Sequence, residues 1–303
     1  MQSSSGSTPT TNTRHVPVLL QEVLDVLAIQ KSDVVLDGTL GGGGHARALA
    51  EQLGVKGHLV GFDVDADAIV RTREKLSGVK PSVTLIHDNF RNSRAKLVEY
   101  EINLVDKALF DLGWSSDQLE TSGRGFSFER DEPLEMTLST EEGILTASEI
   151  VNEWQEESIA DILYGWGGER FSRRIARAIV AARPISTTKE LVDAVSSAVP
   201  RRGKINPATK TFQALRIAVN DELGALKEVL EKIPEFVHED SRVAFITFHS
   251  LEDRLVKQTF RNWQKEGLGI ILTKKPIPAS REEVIKNKRA RSAKLRAFQF
   301  KNE

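Results

Sequence analysis

The stretch from Val34 to His45 constrains the fold of this chain more than any other segment. Its first residues, 34–36, are apolar and predict a short strand buried in a parallel sheet. Four consecutive glycines follow at 41–44, and they let the backbone turn sharply and come close to a ligand. Residues 46–53 then predict a helix with an apolar face. A strand, a glycine turn and a helix N-terminus in this order are typical of a cradle for a nucleotide-like ligand.

A carboxylate stands where such a ligand needs one. The next apolar run, residues 58–64, contains Asp63, about twenty residues after the glycines. A carboxylate at this place can accept hydrogen bonds from both hydroxyls of a ribose. The stretch lacks the lysine of a phosphate-binding loop and the strict dinucleotide fingerprint, so a structural turn beside a solvated acidic loop is the alternative. The order of strand, turn, helix, strand and acid favours ribose binding.

The rest of the chain alternates strands and helices, with one interruption. Strands are predicted at residues 34–36, 58–64, 83–87, 107–111, 242–248, 269–273 and 294–300. Between about 114 and 211 there are turns and helices but no convincing strand, and a long helical stretch is predicted over 211–233. The pattern predicts an α/β fold with a doubly wound sheet, interrupted by an all-α insert. The predicted parts are a disordered tail (1–14), a core (15–113 and 212–303) and the insert (114–211).

Composition excludes several classes of protein. The chain has 303 residues, of which 40% are hydrophobic, so it can bury a sizeable core. No apolar run reaches about eighteen residues, which excludes a membrane-spanning helix. The absence of cysteine excludes disulfides and thiolate metal sites, and the six histidines lack metal-ligand spacing, so no metal is expected. The first residues do not resemble a signal peptide, and we expect a cytoplasmic protein.

Positive charge is concentrated in short segments, although the net charge of the chain is only −1. Residues 281–296 contain seven basic and two acidic side chains, which indicates either a docking surface for a polyanion or a solvated tail. Arg170, Arg173, Arg174 and Arg177 share one face of a helix predicted over 169–182, which favours contact with phosphates. Arg201, Arg202 and Lys204 extend the basic character. Together these segments suggest a bulky nucleic-acid substrate.

Further candidate site residues follow the predicted strands, where open α/β sheets bind ligands. Phe90 follows the third strand and either packs on an adenine ring or belongs to the core. Asp111 ends the fourth strand and either lies near the reacting end of the ligand or is a satisfied loop acid. His249 either contacts substrate as a general base or fixes its loop by hydrogen bonds.

Six motifs together resemble one family, the bacterial 16S ribosomal RNA cytosine-N4 methyltransferases. The motifs are DGTLGGGGH (37–45), DLGWSSDQL (111–119), RGFSF (124–128), PATKTFQALRI (207–217), FHSLEDR (248–254) and RARSAKLR (289–296). They occur in the family's order and cover nearly everything from residue 15 to residue 300. The departures from the family pattern, such as Trp114, Glu132 and Lys210, fall mostly in the insert and concern contacts with the substrate more than the type of reaction.

The resemblance implies a class I methyltransferase fold with a Rossmann-like seven-stranded sheet and S-adenosylmethionine as the methyl donor. It implies methylation of the N4 amine of a decoding-centre cytosine, position 1402 of 16S rRNA, in the small ribosomal subunit. The donor contacts that it implies are Gly43, Gly44, His45, Asp63 at the ribose, Phe90 by the adenine, and Asp111 and Gln118 towards the methionine end. Our hypothesis for the reaction is that Asp111 accepts the hydrogens of the target amine. The sequence leaves the oligomeric state open.

Two rival functions remain at this point. The first is a nicotinamide-dependent oxidoreductase, which shares the sheet, the turn and the ribose acid but requires the missing glycine fingerprint. The second is a non-catalytic RNA-binding module that has kept the fold. A methyltransferase with a different acceptor, such as another RNA amine, is the closest alternative given the departures.

Overall fold

The computed structural model describes residues 17–113, 123–138, 143–200 and 206–301. The predicted disordered tail, Gln118 and the basic residues Arg201, Arg202 and Lys204 lie outside these ranges. Within them, no helix is both long and apolar enough to cross a membrane.

The described ranges contain twelve α-helices and eight strands. The helices are α1 (Leu20–Leu27), α2 (Gly44–Gln52), α3 (Ala66–Lys75), α4 (Ser93–Glu99), α5 (Ala147–Glu153), α6 (Glu156–Gly165), α7 (Ser172–Ala181), α8 (Thr188–Ala198), α9 (Thr209–Asn220), α10 (Glu222–Lys232), α11 (Ser250–Lys265) and α12 (Arg281–Lys286). The strands are β1 (Val34–Asp37), β2 (His58–Asp63), β3 (Ser82–His87), β4 (Val105–Asp111), β5 (Val237–Thr247), β6 (Gly269–Ile271), β7 (Ile277–Pro278) and β8 (Lys294–Phe300).

All eight strands form one sheet in the order β3-β2-β1-β4-β5-β8-β6, and β7 pairs with β8. Strands β1 to β5 pair in parallel with one another, whereas β8 runs antiparallel to both β5 and β6. The seven predicted strands are therefore all present, and the two-residue strand β7 is additional. The chain reverses the direction of strand order between β1 and β4, and open sheets bind ligands in the crevice at such a point.

Helices cover both faces of the sheet because neighbouring strand residues point in opposite directions. Val35 and Leu59 face a core formed with α1, α2 and α3, whereas Leu36 and Val60 face a core formed with α4, α10 and α11. Strands buried on both faces need continuous apolar sequence, and the predicted strand runs have it. The two cores hold the carboxyl ends of β1, β2 and β4 in fixed positions.

The insert has a separate apolar core, built from buried residues between Phe126 and Val219. Helix α5 was not predicted, and α7 begins only at Ser172, so Arg170 precedes the helix. Helix α9 contributes Phe212 and Leu215 to this core. The predicted boundary between the insert and the second part of the sheet domain, between residues 211 and 212, falls inside this helix.

The long helical stretch predicted over 211–233 is present, but it is not continuous. It is two helices, α9 and α10, separated at Asp221, which adopts a left-handed backbone conformation with φ 46°. A left-handed residue ends a helix because it turns the next peptide out of the helical path. The chain therefore leaves the insert and re-enters the sheet domain at a sharp joint.

Candidate active site

An open pocket lies at the carboxyl ends of β1, β2 and β4, where the strand order reverses. Gly41, Asp63, Phe90 and Asp111 line one part of this pocket, which we call the donor half. The structure thus brings together four residues that are far apart in the sequence, one from the glycine turn and three that end or follow a strand. Gly43, Gly44 and His45 lie on the next turn of chain, outside the lining, and their contact with a donor stays a prediction.

Asp63 connects strand β2 to the glycine turn. Its Oδ2 accepts a hydrogen bond from the backbone N–H of Gly41 at 2.7 Å, and its Oδ1 accepts one from Asp65 at 2.9 Å. Gly41 has φ 50° and Gly43 has φ 71°, conformations that a residue with a Cβ rarely adopts. Burial raises the pKa of Asp63 to about 6. The carboxylate therefore fixes the turn while it still lines the pocket.

Asp111 of the pocket lining adjoins two buried polar residues, Asp37 and His45. Asp37 is fully buried, and its Oδ2 has no hydrogen-bond partner among the described residues. Burial raises the pKa of Asp37 to about 7, opposed by the neighbouring His45 and supported by the charges of Asp111 and Asp63. His45 Nε2 lies 3.4 Å from Asp111 Oδ2, but neither ring nitrogen makes a hydrogen bond within the described part of the chain.

Asp111 is held at the pocket by its own backbone. Its N–H donates to the Thr39 hydroxyl at 2.7 Å, and its Oδ1 accepts from the N–H of Gly113 at 3.0 Å. The other carboxylate oxygen of Asp111, Oδ2, lies 3.4 Å from His45 Nε2. The carboxylate is thus positioned rigidly, with one oxygen available to a ligand in the pocket.

Phe90 stands between the pocket and the core, and its contact with an adenine stays a prediction. The ring lines the pocket, and it also packs edge-on against Phe110 of the core, with ring centroids 5.7 Å apart. One side is therefore available to a flat ligand, while the core fixes the other. Gln118 lies outside the described residues.

The other part of the pocket, the acceptor half, was not found from the sequence. It includes Asn220 and Glu222, which flank the joint between α9 and α10, and Glu252 of α11. Asn220 Nδ2 donates to Met136 O at 2.8 Å, and its Oδ1 accepts from the N–H of Leu138 at 2.9 Å. The amide thereby ties a loop of the insert to the pocket wall.

Both carboxylates of the acceptor half are engaged. Glu222 accepts two hydrogen bonds from Arg216, at 2.8 and 3.0 Å, yet burial raises its pKa above the usual value. Glu252 Oε2 accepts from the backbone N–H groups of Phe248 and His249 at 2.7 and 3.1 Å. Glu222, Glu252 and His249 lie close together. Each offers one atom that could bind a metal ion, and among the described residues these three atoms lie within 4.8 Å of one another.

Known proteins resemble this chain over almost its whole length. The model of the MraW methylase family matches residues 12–301. The chain belongs to the MraW methylase family. A Koribacter versatilis protein named Ribosomal RNA small subunit methyltransferase H is 46% identical over 294 residues, covering 93% of each chain. A protein of the same name from Acidobacterium capsulatum is 43% identical over 95% of this chain and 99% of its own. A Clostridium thermocellum protein of known structure shares 14% identity and superposes with a TM-score of 0.47 over 94% of this chain and 99% of its own.

The protein is accordingly a methyltransferase, and its sheet has the class I order with an inserted helical region. The nicotinamide-dependent alternative is wrong, because the family is one of methylases.

The arginine face of this methylase is exposed. Arg170, Arg173 and Arg174 line a second, shallow pocket on the insert together with the exposed ring of Tyr164. Arg177 lies outside this pocket and pairs with Glu156 at 3.7 Å.

The C-terminal basic segment is less available to a ligand than its composition indicates. Arg296 is buried, only 6% exposed, and pairs with Asp253 at 2.7 Å, and Lys294 lies 3.6 Å from the same acid. Both arise from β8, where they stabilise the sheet edge. The exposed basic residues of this segment are Arg281, Lys286, Lys288 and Arg291.

Proposed function

We propose that this methylase transfers a methyl group from S-adenosylmethionine to the N4 amine of a decoding-centre cytosine, position 1402 of 16S rRNA, in the small ribosomal subunit of the cytoplasm. The observation that carries the proposal is the pocket itself, which runs from the ribose-type acid Asp63, past Asp111, to Glu222 and Glu252. The names of the two relatives, at 43–46% identity, support ribosomal RNA as the substrate.

The residues of the donor half suit a cationic nucleoside. Asp37 Oδ2 and both His45 nitrogens are buried without hydrogen-bond partners among the described residues, and His45 lies next to Asp111 of the lining, so polar atoms beside the pocket still lack a partner. Asp63 would bind the sugar, Phe90 would lie by the adenine and Asp111 would face the methionine end. When bound, the donor supplies a methyl group made electrophilic by its sulfonium. The remaining donor contacts, Gly43, Gly44, His45 and Gln118, rest on the resemblance.

The amine of cytosine is a poor nucleophile because its lone pair is delocalised into the ring. The chain therefore has to hold the base in line, with reacting atoms about 3–3.5 Å apart. Asp111 Oδ2 accepts a hydrogen of the amine, which exposes the lone pair and offsets the developing positive charge. The target base has to leave its stack to reach this position. The exposed arginines of the insert hold neighbouring phosphates.

The decisive experiment uses small subunits that lack the modification. The protein is incubated with these subunits and methyl-labelled donor, and the labelled nucleotide is mapped; Asp111→Asn serves as the inactive control. We expect the label on N4 of one cytosine. Label on a different base or amine would replace the substrate assignment, and donor binding without any transfer would favour the non-catalytic RNA-binding alternative.

A further inference from the structure

His249 has a buried ring nitrogen, Nε2, next to Glu252, a residue that lines the pocket. The residue is the N-cap of α11, and its Nδ1 accepts from the backbone N–H of Glu252 at 3.4 Å. The interpretation that it fixes its loop is thus confirmed. A neutral ring whose Nδ1 accepts carries its proton on Nε2. That nitrogen is buried, since the side chain is only 10% exposed, and it makes no hydrogen bond to any described residue.

Glu252 places an acceptor next to this donor. Its Oε1 lies 3.0 Å from His249 Nε2, whereas its Oε2 is occupied by two backbone N–H groups. Glu252 lines the acceptor half of the pocket and is 3% exposed. A carboxylate oxygen and an imidazole nitrogen therefore lie side by side, and the carboxylate belongs to a residue of the pocket lining.

We propose that His249 and Glu252 bind the Watson–Crick edge of the acceptor base. Glu252 Oε1 accepts from the exocyclic amine, and His249 Nε2–H donates to the adjacent ring nitrogen. Cytosine carries an amine donor beside the acceptor N3, so both groups are satisfied. Uracil presents a carbonyl and an N–H in the reverse order, which would set oxygen against carboxylate and N–H against N–H. The inference rests on the proposed amine substrate and names the residues that select it.

A divalent cation suits the same atoms less well. Arg216 occupies both oxygens of Glu222, and its guanidinium would repel a metal ion beside it. Glu252 offers only its Oε1, which already lies 3.0 Å from His249 Nε2, because its Oε2 holds the helix cap. A neutral base with mixed donors and acceptors matches the available groups without moving either interaction.

The test is the variant His249→Asn. Asparagine is a favoured N-cap residue whose side-chain oxygen can still accept from the first turn of α11, but it lacks the Nε2–H. The control is Thr187→Asn. This variant also replaces the N-cap residue of a capping box by asparagine, but at helix α8 in the insert. Both proteins are compared with wild type for melting temperature, donor Kd, and kcat and KM on small subunits. Binding is also measured to subunits carrying cytidine or uridine at the target position.

We expect wild type and Thr187→Asn to prefer cytidine subunits by about tenfold, the size of one good bidentate base contact. His249→Asn should lose most of this preference and methylate more slowly, with unchanged melting temperature and donor Kd. A second variant, Glu252→Gln, keeps an oxygen for the cap and should show the same loss of preference.

Three results would overturn the inference. The first is a His249→Asn enzyme with wild-type turnover and preference. The second is a loss of turnover in His249→Asn with the cytidine preference intact, which would indicate a structural role. The third is a rise in the melting temperature of wild type, but not of His249→Asn, with zinc or magnesium, which would identify a metal site. If wild type methylates no small subunit at all, the proposed function fails, whereas the binding preference still tests the base contact.

Discussion

Replacing Asp37 by asparagine should change how the stability of the protein depends on pH. Asp37 is fully buried with one unpartnered oxygen, and burial raises its pKa from 3.8 to about 7. The folded protein therefore holds this proton more tightly than the unfolded chain does. The stabilisation is complete below pH 3.8 and is lost as pH rises to 7. A shift of roughly three pKa units corresponds to about 4 kcal/mol of unfolding free energy, of which about 3 kcal/mol falls between pH 5 and pH 8.

The assay is urea unfolding of wild type and Asp37→Asn at intervals from pH 5 to pH 8. Asparagine can still accept the backbone hydrogen bond that Thr39 donates to Oδ1 at 3.1 Å, so the loop geometry is retained. Relative to wild type, the variant should gain about 3 kcal/mol across this range, because it has no proton to lose. Asp63→Asn should gain about half as much, since the pKa of Asp63 is raised only to about 6. Parallel stability curves for wild type and Asp37→Asn would refute the assignment of a neutral buried carboxyl.

The site and the basic surface give further predictions. Asp63→Ala should weaken donor binding, measured by calorimetry, about ten- to hundredfold, as expected when a charge-assisted hydrogen bond is lost; an unchanged Kd would remove it from the ribose site. Asp111→Ala should slow methyl transfer about a hundredfold or more at saturating donor, measured in single turnovers, and normal turnover would exclude its role at the amine. The double variant Arg173→Ala, Arg174→Ala should weaken subunit binding and reduce the slope of log K against log salt by up to about 2, whereas Arg177→Ala, which is paired with Glu156, should change it less. Equal effects per arginine would show general charge rather than a localised site.

The sheet and the donor half could be predicted because their signals are local. Each buried parallel strand is one apolar run, and its carboxyl end follows directly in the sequence. Asp63 and Asp111 were found in this way, since all parallel strands end at the same edge of the sheet. The antiparallel position of β8 could be expected as part of a closing pair, whereas its two-residue partner β7 is too short to leave a sequence signal.

The acceptor half could not be predicted because its members come from distant parts of the chain. Glu222 and Glu252 are thirty positions apart. In the sequence, each is an acidic residue in the first turn of a helix, which is common and does not indicate a binding site. The signal that could have found Glu252 is the spacing between His249 and Glu252, which matches a capping box at the end of a strand. Charge counting failed at Arg296 for a different reason, since it cannot tell an exposed arginine from one that is buried against Asp253.

The joint between α9 and α10 links the insert mechanically to both halves of the pocket. Asn220 holds the insert loop through Met136 and Leu138, and Glu222 follows two residues later in the pocket wall. Asp221, between them, accepts a hydrogen bond from Arg91 at 2.5 Å, and Arg91 follows Phe90 of the donor half. The strained left-handed conformation of Asp221 permits this arrangement, because a continuous helix would carry Glu222 away from its present position. Hydrogen bonds of the consecutive residues Asn220 and Asp221 therefore join the insert loop to Arg91, beside Glu222 of the pocket wall.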